Sequence, residues 1–587
     1  MCGIAGLSLT EPTSPAAATL DRLAAALAHR GPDGQGRHTA PGIGLVQTRL
    51  AIIDLVTGDQ PIRDPAGPVL AANGEIYNYL ELRAGLPDQT WRTKSDCEPP
   101  LALYRRDGLA FAESLRGMYA IAIHDPARDR LVLARDPFGI KPLYVATTAG
   151  GLAFASEPQA LIAAGLVSPK LEAASRDALL QLQFVPGSAT LLAGVTRVLP
   201  GESLAIERGR IVERRHRPAL PEGGPIRIAA EATIGQLDAV LAESVELHQR
   251  SDVPYGLFLS GGIDSAAILA LMSRGGRRVR AFTAAFPDSA ARDERALART
   301  LAKRTGAEHV EVEVTARDFW ADLPRIAAAM DDPGADYATI PTWKLAREAA
   351  RGLKVVLSGE GGDEIFAGYG RYRTARRPLL LGGRKMRASG SFDGLDVLRS
   401  PPRRWREELG RIEEHEARGG RSRLQAAQAT DIAGWLPADL LTKLDRCLMA
   451  HGLEGRTPFL DPVVAGYAFR LPDAVKVRGR LGKWLLREWL NRNLPEAEPF
   501  SKKRGFTVPV GEWIGREPRL GPLLARQPGI AEIAHPERVV ALTRATADKR
   551  AGFAAWTLLF YALWHRRHIL GLAPEGDVLS CLEATPA

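Results

Sequence analysis

Cys2 stands directly behind the initiator in Met1-Cys2-Gly3-Ile4-Ala5-Gly6, and removal of Met1 turns an ordinary thiol into a nucleophile that carries its own base. The freed α-amine has an ordinary pKa of about 7.7 to 8.0, keeps a deprotonated fraction near neutrality and lies one residue's geometry from the sulfur, so no histidine is required. Attack of a thiolate on a carboxamide carbonyl builds up negative charge on oxygen, which needs fixed donors where that charge develops. Asn73-Gly74-Glu75-Ile76-Tyr77-Asn78 offers the Asn73 amide and the Gly74 N–H for such a hole, the glycine letting substrate approach closely. Arg49, in Arg49-Leu50-Ala51-Ile52-Ile53-Asp54, can clamp an α-carboxylate through its planar fork, and Asp96, in Ser95-Asp96-Cys97-Glu98, can hold an α-ammonium. Together they would recognise a free amino acid. Singly, each has a plainer explanation: a small buried hydrophobe for Cys2, a turn for Asn73-Gly74, surface charge for Arg49 and Asp96. Arg30-Gly31-Pro32-Asp33-Gly34 has turn chemistry and reads as a structural loop.

A second set of residues suits phosphate. Ser260-Gly261-Gly262-Ile263-Asp264-Ser265 follows an apolar strand and opens a helix, so its backbone N–H groups and the helix N-terminus point at an anion. It lacks the Gly-Lys-Ser/Thr ending of the Walker loop, and Asp264 offers instead an oxygen ligand for Mg²⁺. Leu357-Ser358-Gly359-Glu360-Gly361-Gly362-Asp363-Glu364 repeats the design at another strand end, where small residues admit adenine or ribose against backbone. Asp264 and Asp363 would share the metal and neutralise a leaving pyrophosphate. The plainer alternative for either loop is a glycine-rich turn capping a helix.

These residues need two different scaffolds. As far as about Glu213 the sequence predicts short strands between turns: Gly44 to Ile53, Val69 to Asn73, Tyr119 to His124, Arg130 to Ala134, Leu143 to Ala146 and Leu152 to Ser156, with helices at Leu20 to Ala28 and Leu101 to Arg105. That pattern predicts layered antiparallel α/β structure over residues 2–213. A polar Pro/Gly-bearing stretch, Arg214 to Pro225, then predicts a linker over 214–228. Beyond it the pattern alternates: strand Tyr255 to Leu259, helix Ser265 to Met272, strand Val279 to Ala285, helix Leu297 to Thr305, strand Val310 to Val314 and strand Lys354 to Leu357. Residues 229–587 are therefore expected to hold a parallel, doubly wound sheet binding ligands at its carboxyl ends, followed by a mainly helical remainder.

At 587 residues the chain exceeds the roughly 250 to 300 that one core supports, which fits two domains. Cys2, Cys97, Cys447 and Cys581 have no metal-ligand spacing and no disulfide framework, as expected of a cytoplasmic protein. The longest apolar run, Phe553 to Trp564, falls short of the roughly 20 residues needed to cross a bilayer and reads as a core helix, so no membrane partner is expected. The net charge of +9 raises nucleic-acid binding, but the arginines are spread along the chain and rarely interleave with aromatics. Arg371 to Arg377 and Lys502-Lys503-Arg504 are the local exceptions, and no nucleic-acid partner is expected.

The order and spacing of Cys2-Gly3-Ile4, Arg30 to Asp33, Arg49 to Asp54, Asn73 to Asn78 and Ser95-Asp96 resemble the class II glutamine amidotransferases, whose glutaminase has the N-terminal-nucleophile (Ntn) αββα fold. Lys94 before the Ser-Asp pair and Pro99-Pro100 after Glu98 depart from that pattern. The two phosphate loops, with Glu454-Gly455-Arg456-Thr457-Pro458-Phe459-Leu460-Asp461 and Gly482-Lys483-Trp484-Leu485-Leu486-Arg487-Glu488, look like the ATP-pyrophosphatase domain of glutamine-hydrolysing asparagine synthetases. The resemblance spans almost the whole chain but carries no motif from about Pro378 to Ala438. It implies that Cys2 is the nucleophile, that Asn73 and Gly74 form the oxyanion hole and that Arg49, Asn73, Gly74, Glu75 and Asp96 hold glutamine. It further implies that Phe258, Ser260, Gly261, Gly262, Asp264, Ser265, Ala284, Ser358 and Gly359 bind ATP, that Lys483 stabilises phosphate charge, and that Glu360 accepts a proton from the attacking amine. The related β-lactam synthetases have tyrosine at the Glu360 place and lack the N-terminal cysteine; this chain has both Glu360 and Cys2. Glutamine, aspartate and ATP are the implied substrates, with Mg²⁺ as cofactor and a homodimer as the assembly. The same chemistry on another carboxylate, such as a surface sugar or a secondary metabolite, remains open, and Asp331-Asp332-Pro333 to Pro341-Thr342 is a segment that would shape the acceptor pocket. A phosphoribosyl-type amidotransferase shares the first half, but Ser260 to Ser265 argue for adenylation.

Overall fold

The computed structural model describes residues 2–226, 230–276, 278–287, 294–378, 380, 382–501 and 508–584. In the N-terminal half two six-stranded antiparallel sheets lie face to face. The first runs in the order Val195–Arg197, Tyr144–Thr148, Gly151–Ala155, Gly3–Leu9, Ile43–Arg49, Gly34–Ala40, and the second Arg210–His216, Glu202–Glu207, Arg130–Arg135, Gly117–Asp125, Val69–Ile76, Ile62–Arg63. The strand that starts just after Cys2 therefore sits near the middle of its sheet. Ile4, Leu45, Ala71, Ala120, Leu133 and Phe154 fill the space between the sheets. Helix Ala17–Leu27 covers the outer face of the first with Leu20, Leu23, Ala24 and Leu27, one apolar stripe at helical spacing. Helix Pro99–Asp107 covers the second with Leu101, Leu103 and Tyr104. Each fully buried leucine here stabilises the layers by about 1.5–3 kcal/mol. Pro99 and Pro100 occupy the first helical turn, where no backbone N–H is needed, so this departure from the family pattern starts the helix instead of disturbing it.

Two differences from the sequence expectation matter for the site. The strand predicted to reach Ile53 stops at Arg49, because Asp54 takes a left-handed backbone with φ 56° and the Ala51 N–H turns to Asp33 Oδ2 at 2.8 Å. The strand predicted to stop at Asn73 runs on to Ile76, pairing Asn73 with Ala120 and Gly74 with Tyr119. Asn73-Gly74 is therefore strand and not a turn. A Cβ at Gly74 would lie 2.1 Å from the Met118 carbonyl oxygen, so glycine is dictated there by close backbone approach.

The C-terminal half is built on five parallel strands in the order Glu308–Glu313, Arg280–Ala285, Tyr255–Phe258, Val355–Leu357, Glu454–Arg456. The chain winds one way from Tyr255–Phe258 and then returns to its other side, so the topological switch lies between that strand and Val355–Leu357. The two loops Ser260 to Ser265 and Ser358 to Asp363 leave these adjacent strands, where a doubly wound sheet binds its ligand. The fifth strand was read in sequence only as a motif. Helix Lys549–His568 is buried along most of its length, and no described helix is long and apolar enough to cross a membrane.

The halves are joined by buried charge. Arg30, fully buried, donates to Glu157 Oε1 at 2.6 Å within its own half and to Asp445 Oδ2 and Oδ1 at 2.8 and 3.0 Å in the other. Arg446 bonds Asp445 Oδ2 at 2.9 Å and Asp331 Oδ1 at 2.7 Å. Arg197 forks onto Asp332 at 2.6 and 2.7 Å, and Tyr144 donates to the same carboxylate at 2.8 Å. Arg30 is thus a bridge between halves and not only part of a loop. Removing one partner from such a network strands its counter-charges, at a cost of about 3–5 kcal/mol. Arg30→Met is expected to lower the melting temperature measurably, and an unchanged thermal melt would refute this account of the junction.

Candidate active sites

In the first half, Cys2 lies 7% exposed at the head of its strand. Its backbone N–H donates to Asn73 Oδ1 at 3.2 Å, and its carbonyl accepts from Arg30 Nε at 3.2 Å. Burial pushes the thiol up, opposed by the chain's terminal ammonium and by the Leu50 N–H. Asn73 is fully buried, with its Oδ1 turned to the Cys2 nitrogen and its Nδ2 without a hydrogen-bond partner among the described residues. A buried amide N–H₂ left this way costs about 1–3 kcal/mol unless something arrives to accept from it.

Glu75, Asp96 and Glu454 crowd beside this pair. Asp96 Oδ2 accepts from the Ile76 N–H at 2.7 Å, yet burial pushes its carboxyl up to about 6. Glu75 is also raised well above the ordinary carboxylate range, by burial first and then by the Asp96 and Glu454 charges. The cation closest to these carboxylates comes from the other half: Arg456 reaches Glu75 at 3.4 Å and Glu454 at 2.6 Å. Excess carboxylate in a buried site is what a substrate ammonium would neutralise. Arg49 is engaged elsewhere, donating to Asp59 Oδ1 at 2.8 Å and to the Asp54 carbonyl at 2.5 Å. Arg49 is buried but Asp59 is 85% exposed at its side chain, so solvent screens this pair and it holds the fork in place weakly.

In the second half, Phe258, Ser260, Gly261, Gly262, Asp264, Ser265, Ala284, Ser358, Gly359, Glu360, Asp363 and Lys483 all line one cavity of about 780 Å³. The Ser260 to Ser265 turn is fixed by its own hydroxyls: the Ser260 N–H donates to Ser265 Oγ at 3.1 Å and the Gly262 N–H to Ser260 Oγ at 3.1 Å. The Gly261 N–H donates to Glu294 Oε2 at 3.0 Å, which places an anionic oxygen against the loop. A Cβ at Gly359 would come within 2.9 Å of the Asp264 Cβ and one at Gly362 within 2.6 Å of its carboxylate, so the two loops touch and glycine permits it. Lys483 joins them, bonded to Asp264 and, at 2.8 Å, to Asp363. It is not on a solvated helix face: it precedes helix Trp484–Asn493 in a left-handed conformation and is buried. Burial would lower its pKa, but the two carboxylates outweigh that and raise it.

Glu360 does not cap the helix that follows, whose N-cap is Gly361. It faces Lys443 at 3.5 Å, and Lys443 also bonds Asp336 at 2.9 Å. Asp336, Tyr337, Ala338 and Thr342 line the cavity, as expected for this segment, but Asp331 and Asp332 do not; they are held in the junction by Arg446 and Arg197. Lys443, Arg456 and Arg30 were missed as site residues in the sequence. The available signal was charge inside apolar runs, as in Leu440-Leu441-Thr442-Lys443-Leu444-Asp445-Arg446. Of the two basic runs, Arg371 is paired with Asp431 at 2.8 Å and packed on Tyr369 and Trp435; Lys502 to Arg504 lie outside the described residues.

Fold and sites together define a class: a glutamine amidotransferase fused to an ATP-dependent ligase. Residues 1–217 match the glutamine amidotransferase domain family and residues 236–566 the asparagine synthase family. The chain belongs to the asparagine synthase family. It is 31% identical to glutamine-hydrolyzing asparagine synthetase 1 of Bacillus subtilis over 97% of each chain. A Mycobacterium tuberculosis protein, provisionally described under the same name, is 36% identical over 94% of each chain. Asparagine synthetase B of Escherichia coli is 29% identical, over 83% of this chain and 78% of that one.

Proposed function

We propose that this chain is a glutamine-dependent asparagine synthetase, forming asparagine, glutamate, AMP and pyrophosphate from glutamine, aspartate and ATP. The observation that carries the reading is the pairing, in one chain, of a buried Cys2–Asn73 couple with a cavity in which Asp264, Lys483 and Asp363 converge beside Glu360. Once Met1 is removed, the Cys2 nitrogen held by Asn73 is the α-amine that takes the thiol proton. Sulfur attacks the glutamine side-chain carbonyl, the Asn73 amide and the Gly74 N–H receive the oxyanion, and ammonia leaves with the proton returned from the α-amine; water then hydrolyses the thioester to glutamate and the free thiol. Glu75 and Asp96 accept the substrate ammonium, while Arg49 turns from Asp59 to the carboxylate.

In the cavity the Ser260 to Ser265 turn and Lys483 bind the phosphates, and Phe258, Ala284, Ser358 and Gly359 enclose the nucleoside. The residues present fit Mg²⁺: two carboxylates from separate loops already converge on one cation, Lys483. Among the described residues no group of three or more His, Cys, Asp or Glu side chains is placed to hold a metal ion. A hard cation held there would take its remaining oxygens from phosphate and water. When bound, it neutralises charge on the departing pyrophosphate. The aspartate side-chain carboxylate attacks the α-phosphorus of ATP and pyrophosphate leaves; ammonia then attacks the acyl adenylate, Glu360 accepting a proton as the C–N bond forms and AMP leaving as the acyl C–O bond breaks. Ammonia that reaches the second site without entering bulk water stays unprotonated and nucleophilic.

Purified protein incubated with ATP, Mg²⁺, glutamine and aspartate is expected to yield AMP and asparagine. Formation of ADP would overturn the adenylation chemistry, and failure of aspartate alongside success of another acid would overturn the acceptor. The glutaminase should also be pH-dependent. Asp96 holds an ammonium only when ionised and its carboxyl is pushed up to about 6, so the KM for glutamine is expected to rise as pH falls through 6. A KM that is flat between pH 7 and 5 would remove Asp96 from that role.

A further inference from the structure

The segment that carried no recognisable motif supplies one end of the second cavity. Arg387, Trp435 and Asp439 come from it or border it, and all three line the same cavity as Glu360. Arg387 has a left-handed backbone with φ 47°, a conformation that costs a non-glycine residue about 1–2 kcal/mol and persists only where its surroundings enforce it. Arg406 does so, donating to the Arg387 carbonyl at 3.2 Å and to the Met386 carbonyl at 2.6 Å. The guanidinium is stacked between two rings, 4.5 Å from Trp435 and 5.1 Å from Phe184. Trp435 and Asp439 stand on a π-helical stretch, Asp431–Leu440, that interrupts the helical run from Arg423 to Met449, a distortion frequent at functional sites.

The charges around Arg387 do not close. The nearest carboxylate, Asp431, is engaged at 2.8 Å by Arg371 and stands 3.7 Å from Arg387. The buried Nε and Nη2 of Arg387 and the buried Oδ1 of Asp439 have no hydrogen-bond partner among the described residues. Asp439 is held by Trp435 Nε1 at 2.7 Å through its other oxygen, and Asp439 and Arg387 feel each other's field. Burial pulls the Arg387 guanidinium below its ordinary value, with Asp431 opposing, the behaviour of a cation short of an anion. A fork with two open donors, beside a carboxylate with one open acceptor, is complementary to a zwitterion.

Resting on the reading of the second site given above, we propose that Arg387 is the specificity residue that receives the α-carboxylate of the acceptor amino acid, with Asp439 receiving its α-ammonium. The side-chain carboxyl is thereby left toward Glu360 and the phosphate loops. Lys443, tied to Asp336 and Glu360, also feels the Asp439 charge. The acceptor class is an α-amino acid with a second carboxyl, and a sugar or simple monocarboxylic acid leaves both poles unmatched.

The test compares aspartate with isoasparagine, which keeps the β-carboxyl but carries an amide at the α position, in the ammonium-supported reaction. Wild-type enzyme is expected to prefer aspartate in kcat/KM by about 100-fold, the loss expected from one charge-assisted fork. In Arg387→Met that ratio is expected to collapse toward unity, and in Arg387→Lys to lie between. Because it is a ratio, it is insensitive to a fraction of unfolded variant, and the lysine variant supplies it if the methionine variant does not fold. An undiminished preference in both variants, or an equal loss on both acids, overturns the assignment. Wild-type enzyme that aminates another acid and not aspartate overturns the acceptor reading itself, and this is seen before any variant is made.

Discussion

Cys2→Ala is expected to lower glutamine-supported asparagine formation by about 10⁴-fold or more, the scale on which loss of a covalent nucleophile is felt. Synthesis from added ammonium should persist. The substitution removes one sulfur and keeps the backbone N–H to Asn73 Oδ1 and the carbonyl to Arg30 Nε, so the strand and junction retain their contacts. Nothing in the second cavity is touched, since its lining comes from Leu182 onward. The measurement is asparagine formed with each nitrogen source in turn. Loss of both activities would contradict two separable centres, and retention of the glutamine-supported rate would remove Cys2 from the chemistry.

Asp264→Ala and Asp363→Ala are expected to act on the other centre and therefore on both nitrogen sources alike, by about 10³-fold, the upper range for removing one preorganised electrostatic group. Each carboxylate shares Lys483 with the other and, in the function proposed above, would supply an oxygen for the cation that accompanies ATP. Glutamine hydrolysis itself should continue, so the informative readout is AMP and asparagine against glutamate. A variant that makes asparagine at the wild-type rate with either source would displace its residue from the phosphate site.

Much of this was legible because the elements obey their periods. Apolar alternation located six of the twelve described strands of the first half to within a few residues, and the change to alternating strands and helices after Tyr255 located four of the five parallel strands. The fifth, Glu454–Arg456, is three residues long with two of them charged, so no apolar pattern marks it; it pairs with Val355–Leu357, and its buried Arg456 bonds Glu454 and the carbonyls of His248 and Arg250. Arg30 looked like a turn residue because its partner Asp445 lies more than four hundred positions away, beyond any local signal. Lys483 looked solvated for the same reason: its two carboxylates come from loops far along the chain. The cavity end formed by Arg387 and Asp439 was illegible because a distorted helix and a left-handed arginine have no period to read.

The salt-linked seam between the halves also limits how the gene can be cut. Expressed without its neighbour, the amino-terminal piece would present Arg30 and Glu157 on a raw face, and the carboxy-terminal piece Asp445, Arg446 and Asp331. Neither fragment is expected to behave as a module that can be transplanted onto another ligase, and recombination between distant relatives should succeed only when both sides of this seam are inherited together.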